Sequence, residues 1–274
     1  MKFLKRLFDF YLDASIHVAL AVFALLQITA LLFTITLSHH LSLFVFFGTL
    51  VCYNFIKYGV EADKYILVNN RYHKNIQFFS LVGFALGGYH AYFLSLDSWL
   101  IIILLMVLIG FYALPVLPQA KNLRSLGVLK IFLVAIVWSG ITVILPYTEM
   151  GKVFVWDDWV EVLQRTLLVL VLLIPFEIRD LAFDKPELKT IPQRIGVTQT
   201  KIFGSFLVLS FFFLTFLKDE ITTLELIAKG ILFLILGGLM FVSKRNQSKY
   251  FASFWVEVIP IFWWLVIWGL TFLI

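Results

Sequence analysis

The chain has 274 residues, 61% of them hydrophobic and 14% charged, with 30 Phe, 8 Trp and a mean hydropathy of +0.96. Soluble globular chains run at about 45–50% apolar residues, so the composition excludes a soluble enzyme and predicts a membrane protein. A formal net charge of +5 suggests nucleic acid as a partner until the basic residues are placed along the chain.

The N-terminal stretch MKFLKRLFDFYLDAS puts basic residues ahead of an apolar run, as a secretory signal does. The run is too long for a signal core and no small-residue cleavage site closes it, so it is read as the start of the first helix. A hydrocarbon core about 30 Å thick needs roughly 20 apolar residues per helix. In chain order the sequence offers Ala14 to Leu37, Leu41 to Tyr58, Ile76 to Leu96, Trp99 to Leu117, Val128 to Tyr147, Trp159 to Phe176, Ile202 to Leu217, Thr222 to Val242 and Ala252 to Leu273. Outer-membrane barrels show alternating segments of about ten residues, whereas these runs are continuous. The expectation is an all-α polytopic membrane bundle of nine transmembrane helices in a single domain over residues 1–274. Cys52 is the single cysteine and lies within a span, which leaves neither a disulfide nor a zinc site.

Of the 22 Lys and Arg, only Lys152, Arg165, Lys218 and Lys229 fall outside the N-terminus and the regions after helices two, four, six and eight. Basic residues favour the cytoplasmic side. The N-terminus and the even-helix exits are therefore expected in the cytoplasm, with the C-terminus on the opposite side. The excess of base is accounted for by topology, and no nucleic acid is needed.

One cytoplasmic exit is unusual. In PFEIRDLAFDKPELKTIPQRIG (175–196), Glu177, Asp180 and Asp184 are spaced i, i+3, i+7, which places them on one helical face. Pro186 disfavours helix at Lys185, so the trio ends helix six and faces a loop. Hard oxygen donors suit Mg²⁺ or Ca²⁺; the other reading is a solvated loop in which neighbouring Lys and Arg neutralise each acid. Helix two ends in a second polar group, where Asn54, Lys57, Tyr58 and Glu61 share a face. This is either a ligand site or an interhelical hydrogen bond by Asn54 beside a snorkelling Lys57.

Taken together, the two polar mouths resemble those of the UbiA superfamily of intramembrane prenyltransferases, which has nine helices, an Asn-led acidic motif after helix two and a DxxxD motif after helix six. Asp180, Asp184, Thr190, Pro192 and Gly196 match the second block. In the first, Asn54 matches, while Phe55, Tyr58 and Ala62 stand where that motif has aspartates. The resemblance implies a Mg²⁺-dependent transfer of a prenyl group from its diphosphate to a lipophilic or aromatic acceptor, within membrane lipid. It carries over Asp180 and Asp184 as catalytic and metal-binding and Asn54 as substrate-binding; from their places beside these, Glu61 and Glu177 are expected as further metal ligands and Lys57, Lys130 and Arg194 as further substrate-binding residues. Lys57 is expected to replace a second Mg²⁺ as a fixed cation. A noncatalytic isoprenoid-binding or partner-supporting member of the fold is the alternative. A transporter is disfavoured because the polar groups gather at one face rather than at broken helices in the midplane.

Lesser features complete the reading. Tyr112, Lys121 and Arg124 lie with Lys130 after helix four, and Gly83 and Gly87 form a GxxxG packing motif. Glu257 and His90 are intramembrane polar groups, each a functional candidate or an interhelical hydrogen-bonder. Asp13 and His17 are spaced to pair locally, and Trp255, Trp263, Trp264 and Trp268 are expected to face lipid or the interface.

Overall fold

A computed structural model describes residues 2–59, 71–113 and 127–273. The described residues form ten helices and no strand: α1 (Lys2–Asp13), α2 (Ile16–Leu32), α3 (His39–Asn54), α4 (Arg71–Ala91), α5 (Leu96–Ala113), α6 (Val128–Glu149), α7 (Trp156–Asp180), α8 (Ile191–Phe213), α9 (Thr223–Val242) and α10 (Phe251–Leu270). Among them, seven are long and apolar enough to cross a membrane, and the α1–α2 pair, bent by 55°, makes an eighth candidate. The expectation of nine spans is thus met in part. α4 has the length, at 21 residues, but Lys74, Asn75, Gln77 and His90 dilute its apolar character. Helices six and seven of the sequence reading extend further than expected, as α7 and α8.

The α1–α2 bend falls at Ser15, whose backbone is left-handed at φ 60°. A helix end leaves its last carbonyls without partners, and here side chains from the end of α3 supply the donors. Asn54 Nδ2 donates to the carbonyl of Ala14 at 3.0 Å, Tyr58 OH to that of Asp13 at 3.1 Å, and Lys57 Nζ to that of Leu12 at 3.4 Å. The expected Asp13–His17 pair does not form. Asp13 Oδ2 instead accepts from Tyr72 OH, and His17 bonds Tyr11 OH and the Phe254 carbonyl. α3 and α4 pack closely, with Gly83 against Leu50 and Val51 and Gly87 against Phe47. His90 bonds His40 between their Nδ1 atoms at 3.0 Å, which joins α4 to α3. Trp255 and Trp268 are exposed, as a lipid-facing role requires, but Trp263 is buried and donates to the Ala228 carbonyl.

α7 runs through the middle of the bundle. Its first half holds Glu161, Gln164 and Arg165, all essentially inaccessible. Glu161 Oε1 accepts from Arg165 Nη2 at 3.2 Å, while its Oε2 accepts from Lys229 at 2.9 Å and Lys218 at 3.2 Å. Both lysines also donate to Glu225 Oε1. Arg165 Nη1 reaches the Leu25 carbonyl at 2.7 Å and Thr142, and Nη2 reaches Thr29. Gln164 Nε2 holds the Phe211 carbonyl and Thr215. Burial pushes the Lys218 ammonium down in pKa, but Glu161 and Glu225 outweigh it and hold the group above the ordinary lysine value.

Removing one partner from a buried ion pair leaves an uncompensated charge and costs about 3–5 kcal/mol. Glu161→Ala strands Arg165 and leaves Lys218 and Lys229 sharing Glu225 alone, and is expected to fall in that range, read as the loss of thermal stability in detergent. A variant as stable as the wild type would show that the cluster does not hold the helices together.

Candidate functional site

The C-terminal end of α7 meets α3, α5, α6 and α10 around a cavity of about 210 Å³. Its walls are mainly apolar, with Ile131, Val134, Leu172, Leu173 and Phe176 among them, and its polar lining comprises Tyr53, Tyr112, Lys130, Glu177, Asp180 and Glu257. Trp138 Nε1 donates to Tyr53 OH at 2.9 Å, fixing both rings in the wall. A second, smaller cavity of about 80 Å³ shares Tyr53, Tyr112, Val134 and Trp138 with the first.

The acidic trio divides at the helix end. α7 stops at Asp180, and the Asp184 N–H returns to the Asp180 carbonyl at 2.8 Å, so Asp184 lies in the following turn. Lys130 Nζ, from the first turns of α6, lies 2.7 Å from Glu177 Oε1 and 3.7 Å from Asp184 Oδ2. Asp180 turns aside to Arg179 Nε at 2.8 Å. Glu177 and Asp184 therefore share one cation, and the three acids do not form a single stack. Glu177 Oε2 and Asp184 Oδ2 are buried and accept no hydrogen bond.

The loop carrying Asp184 is fixed from two sides. Gln193 at the start of α8 accepts from the Thr190 N–H at 3.0 Å and donates to the Lys185 carbonyl at 3.0 Å. Gly127, just before α6, has φ +48°, and a Cβ there would collide with the carbonyl oxygens of Leu188 and Lys189. Only glycine satisfies both the left-handed backbone and the close approach. This contact presses the loop against the start of α6, which brings Lys130 within reach of Asp184.

The remaining predicted site residues are not gathered here. Asn54 and Lys57 spend donors on the end of α1, and Asn54 also bonds Ser80 at 2.9 Å; Asn54 Oδ1 stays buried without a partner. Arg194 is exposed and its Nε donates to the Lys189 carbonyl at 2.8 Å, bracing the loop outside the cavity. Glu61, Lys121 and Arg124 lie outside the described residues. Among the described residues, no group of three or more His, Cys, Asp or Glu is arranged to hold a metal ion. Two carboxylates do converge, and Mg²⁺ is commonly bound through one or two carboxylates together with substrate phosphates and water. Glu177 Oε2 and Asp184 Oδ2, the latter facing Lys130 at 3.7 Å, accept no hydrogen bond and are hard donors that fit such an ion.

No protein-family model matches the chain, and no curated protein matches it. Its fold is similar to that of a solved structure of digeranylgeranylglyceryl phosphate synthase, with a TM-score of 0.58 over 96% of this chain and 97% of that one. Sequence identity is 16%, so the likeness is one of fold.

Replacing Gly127 by Ala is expected to displace the Leu188–Lys189 backbone and separate Asp184 from Lys130. Loop mobility, followed by a spin label at Phe183, should rise in Gly127→Ala and stay low in Gly151→Ala, whose Cβ meets open space. Equal mobility in the two variants would refute the role given to Gly127.

Proposed function

We propose that the chain is an intramembrane, Mg²⁺-dependent prenyltransferase of the UbiA type, acting on a prenyl diphosphate and a lipophilic or aromatic acceptor. The observation that carries this reading is that Lys130 and Glu177 line an apolar, aromatic-walled cavity at one end of the bundle, with Asp184 on the same lysine. The fold of digeranylgeranylglyceryl phosphate synthase, a prenyltransferase of that superfamily, supports it.

Glu177 and Asp184 would hold Mg²⁺ beside the diphosphate, where the ion neutralises charge on the departing anion. Lys130 has both acids as partners and can offer its ammonium to a phosphate oxygen as the anion enters. Asp180 lines the cavity from the last turn of α7, and Arg179, held against it, adds a second positive group at the mouth. The isoprenoid tail lies along Ile131, Val134, Leu172 and Leu173. There the protein keeps water from the electron-poor allylic carbon, and the Tyr53, Trp138 and Phe176 rings offer π-faces to it.

The pairing of every acid in the trio with a Lys or Arg favours a second reading, a noncatalytic protein of the same fold that binds isoprenoid lipid. Diphosphate release from a panel of prenyl diphosphates, with and without Mg²⁺ and with product mass measured, separates the two. The transferase reading expects Asp184→Asn and Glu177→Gln each to lower release by about 10²-fold or more, the scale of losing one electrostatic contact in the transition state. Asp180→Asn is expected to act in the same direction. Wild-type activity in all three variants would remove the metal site, and no release by the wild type in Mg²⁺ would favour the lipid-binding reading.

The site end is proposed to face the cytoplasm, because the basic residues gather there. Reporter fusions in the turn at Pro186 and after Lys244 should report the cytoplasm, and a fusion at the C-terminus the opposite side. An external Pro186 turn would reverse the orientation.

A further inference from the structure

One acid in the 210 Å³ cavity is not used by the diphosphate chemistry. Glu177 and Asp180 line the cavity from α7 and are paired with Lys130 and Arg179, whereas Glu257 lines it from α10 and makes no hydrogen bond or ion pair among the described residues. Lys57 and Arg179 act on Glu257 through space, without ion-pair contact. Next to it the wall is apolar, formed by Val256 and Pro260. A carboxylate in such a wall is costly unless something in the cavity donates to it. The backbone also departs from a regular helix here: a π-helical turn, Phe251–Val256, immediately precedes Glu257. Such turns are frequent where a helix serves a functional site.

We propose that Glu257 is the general base for the acceptor, and that the acceptor attacks through a hydroxyl group. The proposal rests on the prenyl-transfer reading and names the substrate class for the same cavity. The acceptor O–H donates to the Glu257 carboxylate, which gives that group the partner it lacks in the protein. The allylic C1–O bond to the diphosphate breaks, and its electron pair leaves with the diphosphate. A lone pair of the acceptor oxygen forms the new C1–O bond, and the hydroxyl proton passes to Glu257. The products are a prenyl ether, diphosphate and protonated Glu257, which returns its proton to water once the ether has left. A carbon nucleophile without an O–H would leave the carboxylate without a donor in the ground state.

The test uses the purified full-length chain in lipid nanodiscs, with geranyl and geranylgeranyl diphosphate as donors. Acceptors are long-chain alcohols and phenols, each paired with its O-methyl ether. Prenyl diphosphate binding, thermal stability and ether formation are measured for wild type, Glu257→Gln and Glu257→Ala. Glu257→Gln should bind prenyl diphosphate and unfold like the wild type but form ether about 10²-fold more slowly, the scale of a lost general base. Formate, small enough for the space vacated in Glu257→Ala, should restore its rate at least about tenfold, on the same scale. Methyl ethers should not be prenylated.

Ether formation by Glu257→Gln within about threefold of wild type overturns the base while leaving prenyl transfer standing. Prenylation of a methyl ether at the rate of its parent hydroxyl overturns the hydroxyl acceptor. A Glu257→Ala rate that does not respond to formate reduces Glu257 to a positioning residue and overturns its catalytic role. A wild-type chain that binds neither prenyl diphosphate overturns both this proposal and the reading beneath it.

Discussion

The ion cluster around Glu161 is the constraint on which the arrangement of α7 depends. Lipid offers an apolar helix little reason to prefer one neighbour over another, so packing and buried polar contacts must select the partners. Glu161, Gln164 and Arg165 make that selection. Through them α7 is tied to α2, α6, α8 and α9 at once, and the Arg165 guanidinium also lies 5.9 Å from the Trp263 ring of α10. A rotation of α7 by one residue would turn about 100° of its face and break the contacts together. The cluster thus sets the rotation of the helix that carries Glu177 and Asp180, about 24 Å further along at 1.5 Å per residue.

The two ends of α7 treat charge differently. At the Glu161 end, both oxygens of that carboxylate are engaged, with donors from α7 itself, from α9 and from the connection between α8 and α9. At the other end, Lys130 is shared between two acids, and Glu177 Oε2 and Asp184 Oδ2 accept no hydrogen bond. A buried acceptor left unsatisfied costs about 1–3 kcal/mol. The protein carries that cost beside its cavity, where an incoming cation or donor can repay it. A folded bundle that tolerates open acids at one end requires firm anchoring at the other.

Membrane class, the helical bundle and the acidic end of α7 were legible in the sequence because each rests on local pattern: long apolar runs, the position of Pro186, and acids at helical spacing. The polar face at Asn54 was read as either a ligand group or an interhelical hydrogen bond, and its donors cap α1. That contact depends on the bend at Ser15, which no periodicity reveals. Arg165 and Lys218 entered the sequence reading only as basic residues outside the cytoplasmic regions, although both are buried in an ion cluster. A signal for it was present in the i, i+4 pairs Glu161–Arg165 and Glu225–Lys229 inside apolar helices. Gly127 was equally silent, since its role depends on a loop some 60 residues away that reaches it only in three dimensions.

The neutralisation of the acidic trio by Lys and Arg is compatible with either a bland loop or a ligand site, and the burial of the Lys130–Glu177 pair favours the second. A solvated loop gains little from ion pairs, since exposed pairs contribute about 0–1 kcal/mol. Lys130 and Glu177 instead sit largely out of solvent, with side-chain exposures of 15% and 5%. Pairing there holds the site together while no anion is present. On the prenyl-transfer reading, an arriving diphosphate would give the same lysine a more highly charged partner, and the carboxylates it releases would repel the newcomer unless another cation took its place. On that reading, the charge balance of the cavity would call for a metal ion to enter with the anion.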